Sequence, residues 1–121
     1  MSVAIAWPSV ALDFWPHVGH NMARMKYAVT FAPEAEEDFR RLLAYHRAAV
    51  RDAINQHLVH EPTRESTSRI KRLREMAKPQ YRLRVGDIRI FYDVSGTEVE
   101  VLGIVPKSGA ADWLDQMGVR S

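Results

Sequence analysis

Three arginines in the stretch QYRLRVGDIRIFYDV have the residue type and spacing to do chemistry: Arg82, Arg84 and Arg89. A guanidinium presents a planar fork of donors that matches phosphate, and it stays charged at any cellular pH. The two alternating runs of this stretch meet at Gly86-Asp87, which suits a two-residue hairpin loop because glycine tolerates positive φ. Such a loop places Arg84 directly opposite Arg89, and like charges in that position destabilise a strand pair. The pattern therefore predicts a hairpin that binds an anion.

The same alternation predicts two different faces for the hairpin, because successive side chains of a strand point to opposite sides. One face carries three apolar or aromatic pairs, namely Tyr81 with Tyr92, Leu83 with Ile90, and Val85 with Ile88. On the other face Phe91 lies opposite Arg82. Readers of single-stranded RNA often stack unpaired bases on aromatic side chains. The sequence thus predicts one core face and one basic face, on which Phe91 stacks a base.

Basic charge is concentrated around this hairpin. Residues 64–89 hold nine Lys or Arg and three acidic residues, a formal charge of +6, whereas the whole chain carries only +2. Five flanking basic residues are predicted to extend the positive field along an RNA backbone, namely Arg69, Lys71, Arg72, Arg74 and Lys78. From the residues alone, three alternatives stay open. The segment is a solvated face, its arginines pair with Glu98 and Glu100 of the next strand, or they bind an acidic protein.

Composition narrows the class of protein. A chain of 121 residues with 46% apolar and 26% charged residues is typical of one globular domain. The absence of cysteine excludes disulfides and thiolate metal sites, and the five histidines are too scattered to suggest a metal site, so no metal or cofactor is expected. No apolar run approaches the roughly 18 residues of a membrane span, and the N-terminus lacks a basic n-region. We therefore expect no membrane association and a cytoplasmic protein.

Residues 1–24 differ in character from the rest of the chain, with two prolines and no clear period. We interpret them as an N-terminal extension whose status the sequence leaves open: a docking arm, a cloning remnant, or translation from an upstream start codon. The folded domain is then residues 25–121. It begins with an alternating strand over Lys26–Phe31.

Two helices and a sheet are predicted to follow. Pro33 at a first helical position begins a helix. Its core stripe is predicted to contain Ala35, Phe39, Leu42 and Leu43. A second helix is predicted from about Arg47 to His60, where Pro62 ends it. Residues 69–76 are either an extended connection or a short turn, and the hairpin comes next.

The C-terminal residues predict one more strand and one more helix. Glu98–Val105 reads as the last strand, with Leu102 and Ile104 on the face opposite to the core. Gly109–Met117 reads as a short helix. The order is then β-α-α-β-β-β-α. This order predicts an α+β fold in which a helical hairpin packs on a small antiparallel sheet.

From about Lys26 to Gly118 the chain resembles the RelE/ParE superfamily of toxins from bacterial type II toxin–antitoxin pairs. The resemblance rests on KYAVTFAPEAEEDFRRL, on RIKRLREMAKPQYRLRVGDIRIFYDV and on VEVLGIVPKSGAADWL, of which the middle block is the most specific. It implies a compact fold with two helices on an antiparallel sheet. It also implies a cognate antitoxin, encoded beside the toxin, that wraps it in a hetero-oligomer and covers or distorts the basic face.

Two activities are implied by the resemblance. RelE-like members cut mRNA in the ribosomal A site without a metal. There the ribose 2′-OH attacks the adjacent phosphate, helped by basic side chains and often a tyrosine. ParE-like members instead poison DNA gyrase. Because the arginine hairpin is kept, we expect a ribosome-dependent mRNA endoribonuclease that inhibits translation. Gyrase inhibition, or a non-catalytic member that only binds its antitoxin, is the alternative.

Site residues carry over from the resemblance at four positions. Arg82 and Arg84 match the two basic residues of the RelE hairpin strand, and Arg89 matches its phosphate-stabilising arginine. Lys107 lies at or beside the basic position after the last strand. The expected catalytic residues are these four.

The chain also departs from the RelE pattern where proton transfer would occur. Ser108 stands where RelE-like nucleases usually have Arg or His, and Trp113-Leu114 replaces the late tyrosine that helps position or deprotonate the nucleophile. Arginine stabilises a phosphorane but is a poor general base, because its pKa is about 12 or higher. Since the hairpin tyrosines point to the apolar face, Lys107 is left as the expected proton carrier.

Overall fold

A six-stranded mixed sheet organises the computed structural model, which describes residues 3–4 and 26–121. Its strands, in chain order, are β1 (Val3–Ala4), β2 (Ala28–Phe31), β3 (Ile70–Arg72), β5 (Tyr81–Val85), β6 (Ile88–Ser95) and β7 (Glu98–Pro106). They lie in the order β1-β2-β7-β6-β5-β3, and every neighbouring pair is antiparallel except β2 with β7. A separate ribbon pairs β4 (Met76–Lys78) with β8 (Val119–Arg120). The predicted α+β class is confirmed, and the undecided segment 69–76 supplies β3 and the first residue of β4.

Two helices between β2 and β3 form the predicted helical hairpin. Helix α1 spans Pro33–Arg41, with proline at the start and Glu34 and Glu36 in its first turn, where acidic side chains complement the helix dipole. Helix α2 spans Ala44–Ala53 and continues as one π-helical turn, Ile54–Leu58. It therefore begins three residues before the predicted Arg47, and its α-helical geometry ends at Ala53.

One predicted core residue of the helical hairpin is not in the core. Leu43 is 69% exposed, because it lies in extended conformation between the two helices and so leaves the stripe that α1 presents to the sheet. Ala35 is fully buried, and Phe39 and Leu42 pack against the core, as predicted. The helical hairpin thus covers the sheet face that carries Leu83, where the core lies.

The β5–β6 hairpin has the predicted register throughout. Arg84 pairs with Arg89, Arg82 with Phe91 and Tyr81 with Tyr92 across a turn at Gly86-Asp87. Gly86 has φ 57°, the positive value that a two-residue loop requires. The loop thereby fixes which side chains reach the core and which face away from it.

A β-bulge in β7 corrects the predicted orientation of Ile104. Tyr92 pairs with Val101 and Phe91 with Gly103, so Leu102 is the extra residue in β7. The inserted residue returns Ile104 to the core face, where it is 3% exposed, instead of the opposite face. A carboxylate oxygen of Asp38 on α1 accepts the Ile104 N–H at 3.0 Å. Burial, opposed by this hydrogen bond, raises the pKa of Asp38.

The short helix α3 (Ala110–Met117) follows a 3₁₀ turn, Lys107–Gly109, and packs on the other face of the sheet. Its Trp113 ring stacks on Phe91 at 4.8 Å between centroids, with 7° between the planes. Phe91 faces away from Leu83 and the helical hairpin by strand alternation. The two faces of the sheet are therefore covered by different helices.

A buried tyrosine ties the loop after α2 to the sheet. The Tyr92 hydroxyl donates to the Pro62 carbonyl oxygen at 2.6 Å, and its ring stacks on Tyr81 at 5.5 Å. Burial raises the pKa of Tyr92 far above its ordinary value, so the phenol is neutral at all physiological pH. Tyr92 is structural, and it lies on the face opposite to the arginines.

We expect Tyr92→Phe to lower the free energy of unfolding by about 1–3 kcal/mol, because a buried carbonyl oxygen loses its donor. The matched control is Tyr81→Phe, which keeps the ring stack and has no described hydroxyl hydrogen bond. Urea denaturation of both variants measures the difference. Equal stability of the two variants would contradict this assignment.

The N-terminal extension predicted for residues 1–24 lies outside the described residues, apart from Val3–Ala4. These two residues pair antiparallel with Phe31 and Thr30 of β2. No helix in the described part of the chain combines the length and apolar character that crossing a membrane requires.

Candidate nucleic-acid interface

The three predicted arginines lie together on one face of the β5–β6 hairpin. Arg84 is directly opposite Arg89, and Arg82 is on the same face two residues before Arg84. Burial lowers the pKa of Arg82, and the positive charges of Arg89 and Arg84 lower it further. All three remain charged, since an arginine is not deprotonated in proteins. The hairpin therefore concentrates three positive charges on a rigid element.

Arg82 is half-buried and lacks a compensating acceptor at one of its atoms. Its Nε is shielded from solvent and has no hydrogen-bond partner among the described residues. A shielded, unsatisfied polar atom costs free energy. The same desolvation makes an anion that reaches the exposed end of the guanidinium bind more strongly than it would in water.

Arg89 is placed differently from the expectation that it contacts a scissile phosphate. Its side chain is buried, with only 5% of the residue exposed, and its Nη1 donates to the carbonyl oxygens of Gly86 at 2.8 Å and Ile88 at 3.1 Å. Burial, and then the charge of Arg84, lowers the pKa of Arg89, while Asp87 opposes this. These two hydrogen bonds thus hold the hairpin loop in place. Because the guanidinium is buried, Arg89 acts on an anion at the surface through its positive charge and not through direct contact.

Carboxylates do not neutralise these arginines in the described part of the chain. None of the ion pairs among residues 26–121 involves Arg82, Arg84 or Arg89. Glu98 and Glu100, which the sequence offered as partners, lie opposite Ser95 and Asp93, at the other end of β6 from Arg89. The face therefore keeps its positive charge.

Two of the five flanking basic residues lie on the same face. Lys71 of β3 is directly opposite Arg82. Arg69 lies beside Arg84, whose N–H donates to the Arg69 carbonyl oxygen at 2.9 Å, while Arg69 Nη1 donates to the Arg84 carbonyl oxygen at 3.5 Å. We call this surface the Arg face, formed by Arg69, Lys71, Arg82, Arg84 and Arg89. Its exposed members are Arg69, Lys71 and Arg84.

The other three flanking residues lie elsewhere. Arg72 is on the opposite side of the sheet, with its guanidinium 5.2 Å from the centre of the Tyr81 ring and its Nη1 donating to the Gln80 carbonyl oxygen at 3.0 Å. Arg74 pairs with Glu65 at 3.1 Å. Lys78 belongs to β4, outside the six-stranded sheet. The structure therefore does not bring these three to the Arg face.

Phe91 is buried in this structure, at 1% exposure, and Trp113 occupies the ring face that the sequence offered to a base. The backbone explains how Trp113 fits. A Cβ built on Gly103, which is opposite Phe91, would lie 2.4 Å from the Trp113 ring. Sequence reasoning missed Gly103, although glycine inside a strand is a known signal of close approach. Base stacking on Phe91 is therefore not accessible while α3 occupies this position.

Lys107 lies at the loop end of the hairpin. Its N–H donates to the Asp87 carbonyl oxygen at 2.7 Å, and its side chain is exposed. Beside it is an open depression of about 470 Å³ lined by Asp87, Pro106, Lys107 and Ser108. This places a primary amine next to the loop that Arg89 braces. No group of three His, Asp or Glu within the described residues is placed to hold a metal ion.

Comparison with known proteins agrees with this architecture. Residues 29–110 match the family described as "ParE toxin of type II toxin-antitoxin system, parDE". No curated protein matches the chain. The RelB–RelE antitoxin–toxin complex of Methanococcus jannaschii contains a chain of similar fold, with a TM-score of 0.53 and 19% identity over 69% of this chain and 95% of that one. The archaeal RelE–RelB complex of Pyrococcus horikoshii OT3 also contains a chain of similar fold, with a TM-score of 0.52 and 22% identity over 69% of this chain and 97% of that one. At these identities the structural likeness shows the fold.

Proposed function

We propose that this chain, which belongs to the ParE toxin family and is a toxin of a type II toxin–antitoxin system, binds mRNA on the ribosome and cleaves it. The observation that carries the proposal is the uncompensated Arg face, in which Arg82 and Arg84 stand on one rigid hairpin without carboxylate partners among residues 26–121. A protein that keeps like charges side by side at a cost in stability gains most from an anionic partner.

RNA fits the shape of this surface as well as its charge. Cations stand on three neighbouring strands, with Lys71 on β3, Arg82 and Arg84 on β5, and Arg89 on β6. Neighbouring strands are about 4.8 Å apart, so the row of charges follows an extended anionic chain across the sheet. Arg82 and Arg84 hold successive phosphates, and Lys71 extends the contact. Arg89 strengthens the field from beneath.

Cleavage follows the ribose route in this proposal. The 2′-oxygen attacks the adjacent phosphorus, the bond from phosphorus to the 5′-oxygen breaks, and the products are a 2′,3′-cyclic phosphate and a 5′-hydroxyl. Arg84 stabilises the charge that develops on the phosphate oxygens. Lys107 donates a proton to the departing 5′-oxygen, since Tyr81 and Tyr92 lie on the core face, and the proton of the 2′-hydroxyl passes to water. Neither step requires a metal or cofactor.

An antitoxin is the partner that follows from this assignment. The two similar structures are both complexes of a toxin with its antitoxin. We propose that this chain likewise forms a hetero-oligomer with a cognate antitoxin, which blocks the Arg face. An acidic segment is the chemistry that such a surface would select.

Controlled expression followed by mapping of RNA 5′ ends tests the nuclease proposal. We expect growth arrest together with new mRNA ends that are phased to codons, and these ends should carry 5′-hydroxyl groups. Lys107→Ala should lower cleavage by about 10²–10⁴-fold, the typical contribution of acid–base catalysis, and leave RNA binding nearly unchanged. Arrest without new ends would exclude the nuclease.

Gyrase inhibition is the second candidate, favoured by one observation. The stack of Trp113 on Phe91 closes part of the sheet face and removes the predicted base-stacking ring. A closed face of this kind suits contact with a protein better than binding of unstacked RNA bases. Accumulation of cleaved DNA–gyrase complexes on induction, without new mRNA ends, would establish this second function in place of the first.

A further inference from the structure

We propose that a pocket beside the Arg face is a phosphate-binding subsite for the polynucleotide that lies on Arg82 and Arg84. The pocket has a volume of about 310 Å³ and is lined by His57, Glu61, Arg64, Ser66, Ser68 and Arg69, with Ile70 behind them. The inference rests on the proposed RNA binding and adds the place where the strand continues beyond the edge of the sheet. A phosphate group with part of its ribose fits a space of this size.

Hydrogen bonds within the chain fix the loop that forms the pocket. The Glu61 N–H donates to the His57 carbonyl oxygen at 2.9 Å, which joins the loop to the π-helical turn. Ser66 Oγ accepts the N–H groups of Arg69 at 3.0 Å and Ile70 at 3.3 Å, which joins the loop to β3. Because Ser66 Oγ accepts both bonds, its own O–H is still available to donate. The pocket walls are therefore held in place without a ligand.

The donors around the pocket suit a phosphate. Arg69 uses Nη1 on the Arg84 carbonyl oxygen at 3.5 Å, and a guanidinium has four further N–H donors. Ser68 adds a hydroxyl group. His57 is half-buried, and burial, followed by the charge of Arg69, lowers its pKa. The imidazole is therefore neutral near pH 7 and presents one N–H donor.

One carboxylate faces the pocket, and it is already paired. Both oxygens of Glu61 lie near Arg64 Nη1, at 3.3 and 3.2 Å. That pair is close to neutral, so Arg69 supplies the net positive charge. The other nearby carboxylate, Glu65, accepts from the Arg72 N–H at 3.2 Å and from Arg74 at 3.1 Å. An anion entering the pocket thus meets donors more than acceptors.

Arg69 connects the pocket to the rest of the surface. It stands beside Arg84 on one side and lines the pocket on the other. A single strand whose phosphates lie on Arg82 and Arg84 can therefore continue over Arg69 into the pocket. This continuity favours a polynucleotide over an isolated nucleotide as the natural ligand.

The experiment uses the full chain and follows the imidazole nitrogens by NMR, with the His57 signals identified by their loss in His57→Gln. The probes are a 2′-O-methyl RNA hexamer, whose blocked nucleophile prevents cleavage, and inorganic phosphate. We expect the hexamer to shift the His57 signals. The Ser68→Ala, Arg69→Gln double variant should abolish that shift and weaken hexamer binding at least about tenfold, because charge-assisted hydrogen bonds are lost. The matched control, Arg40→Gln with Ser95→Ala, removes the same two residue types elsewhere. It should change neither the shift of the His57 signals nor the affinity for the hexamer.

The outcomes separate this inference from the proposed function. Hexamer binding that leaves the His57 signals unmoved overturns the subsite and leaves RNA binding by the Arg face intact. A shift with inorganic phosphate but no hexamer binding overturns the polynucleotide assignment, because the pocket would then serve free phosphate. In Arg82→Gln, Arg84→Gln, hexamer binding should weaken while the shift with inorganic phosphate persists.

Discussion

The Arg82→Gln, Arg84→Gln double variant should lose toxicity and gain stability at the same time. If these arginines served only folding, the same substitutions would instead lower toxicity and stability together. Here the two arginines repel each other and Arg89: burial lowers the pKa of Arg82 and of Arg89 most, and the charges of the neighbouring arginines lower both further. Removing like charges from one face of a strand pair should return about 0.2–1 kcal/mol of unfolding free energy. The variant should therefore melt at the wild-type temperature or slightly above it.

The loss of RNA binding should be much larger than the change in stability. A hydrogen bond to a charged group contributes about 1.5–3 kcal/mol, so two lost phosphate contacts should weaken binding about 100-fold or more. The dependence of log affinity on log salt should become shallower by about 1.4, the value for two phosphates of a single strand. Fluorescence anisotropy with a short single-stranded RNA at several salt concentrations measures both quantities.

A control of equal charge separates specific contacts from net charge. Arg40→Gln with Arg120→Gln removes two guanidinium groups that pair with Glu36 and Asp115 on other surfaces. This control should retain toxicity and most of the affinity. If both double variants lose affinity equally, the Arg face acts only through long-range charge and the proposed phosphate contacts do not exist.

The hairpin could be predicted from sequence because its geometry is determined locally. Strict alternation fixes which side chains share a face, and the loop at Gly86-Asp87 fixes the register, so every predicted cross-strand pair is present. The grouping of Arg82, Arg84 and Arg89 on one face therefore follows from the amino-acid order alone. Its extension to Lys71 needed only the pairing of β3 with β5.

Long-range packing could not be predicted in the same way. The alternating pattern predicts which face carries Arg89, but it does not predict that the side chain is buried. That burial depends on hydrogen bonds from Arg89 to two carbonyl oxygens of the loop region. The orientation of Ile104 depends on the bulge at Leu102, and a single extra residue leaves no mark in a hydrophobic pattern. Exposure of Leu43 follows from where α1 ends, and helix ends are the least predictable part of an element.

The position of α3 is the difference with the largest consequence for the site. Apolar residues of a short amphipathic helix indicate that one side is buried but not which face of a sheet receives it. Trp113 lies on Phe91 because Gly103 leaves room for the indole. The sequence contained this signal as a glycine in the segment Val101–Val105, whose other four residues are all apolar. The glycine could predict the position of Trp113 only once Phe91 and Gly103 were known to be neighbours across β6 and β7.

Gly103→Ala should displace Trp113 and destabilise the protein. The new Cβ would lie 2.4–2.7 Å from three atoms of the indole, closer than real contacts allow. Overpacking costs about 1–3 kcal/mol, and the lost aromatic stack adds about 0.5–1.5 kcal/mol. We expect a loss of about 2–4 kcal/mol in unfolding free energy, measured by urea denaturation. The control is Gly109→Ala, where the nearest atom, Cγ of Pro106, is 3.8 Å away and the change should stay within about 0.5 kcal/mol.

The same variant decides what α3 does to the Arg face. No cation is altered by Gly103→Ala, so RNA affinity measured well below the melting temperature should be retained or increased as Phe91 becomes accessible. A loss of affinity as large as that of Arg82→Gln, Arg84→Gln would mean that α3 forms part of the RNA surface. Unchanged stability would mean that Trp113 does not require the space beside Gly103. Lower stability together with retained RNA affinity would show that α3 covers the RNA-binding surface without contributing residues to it.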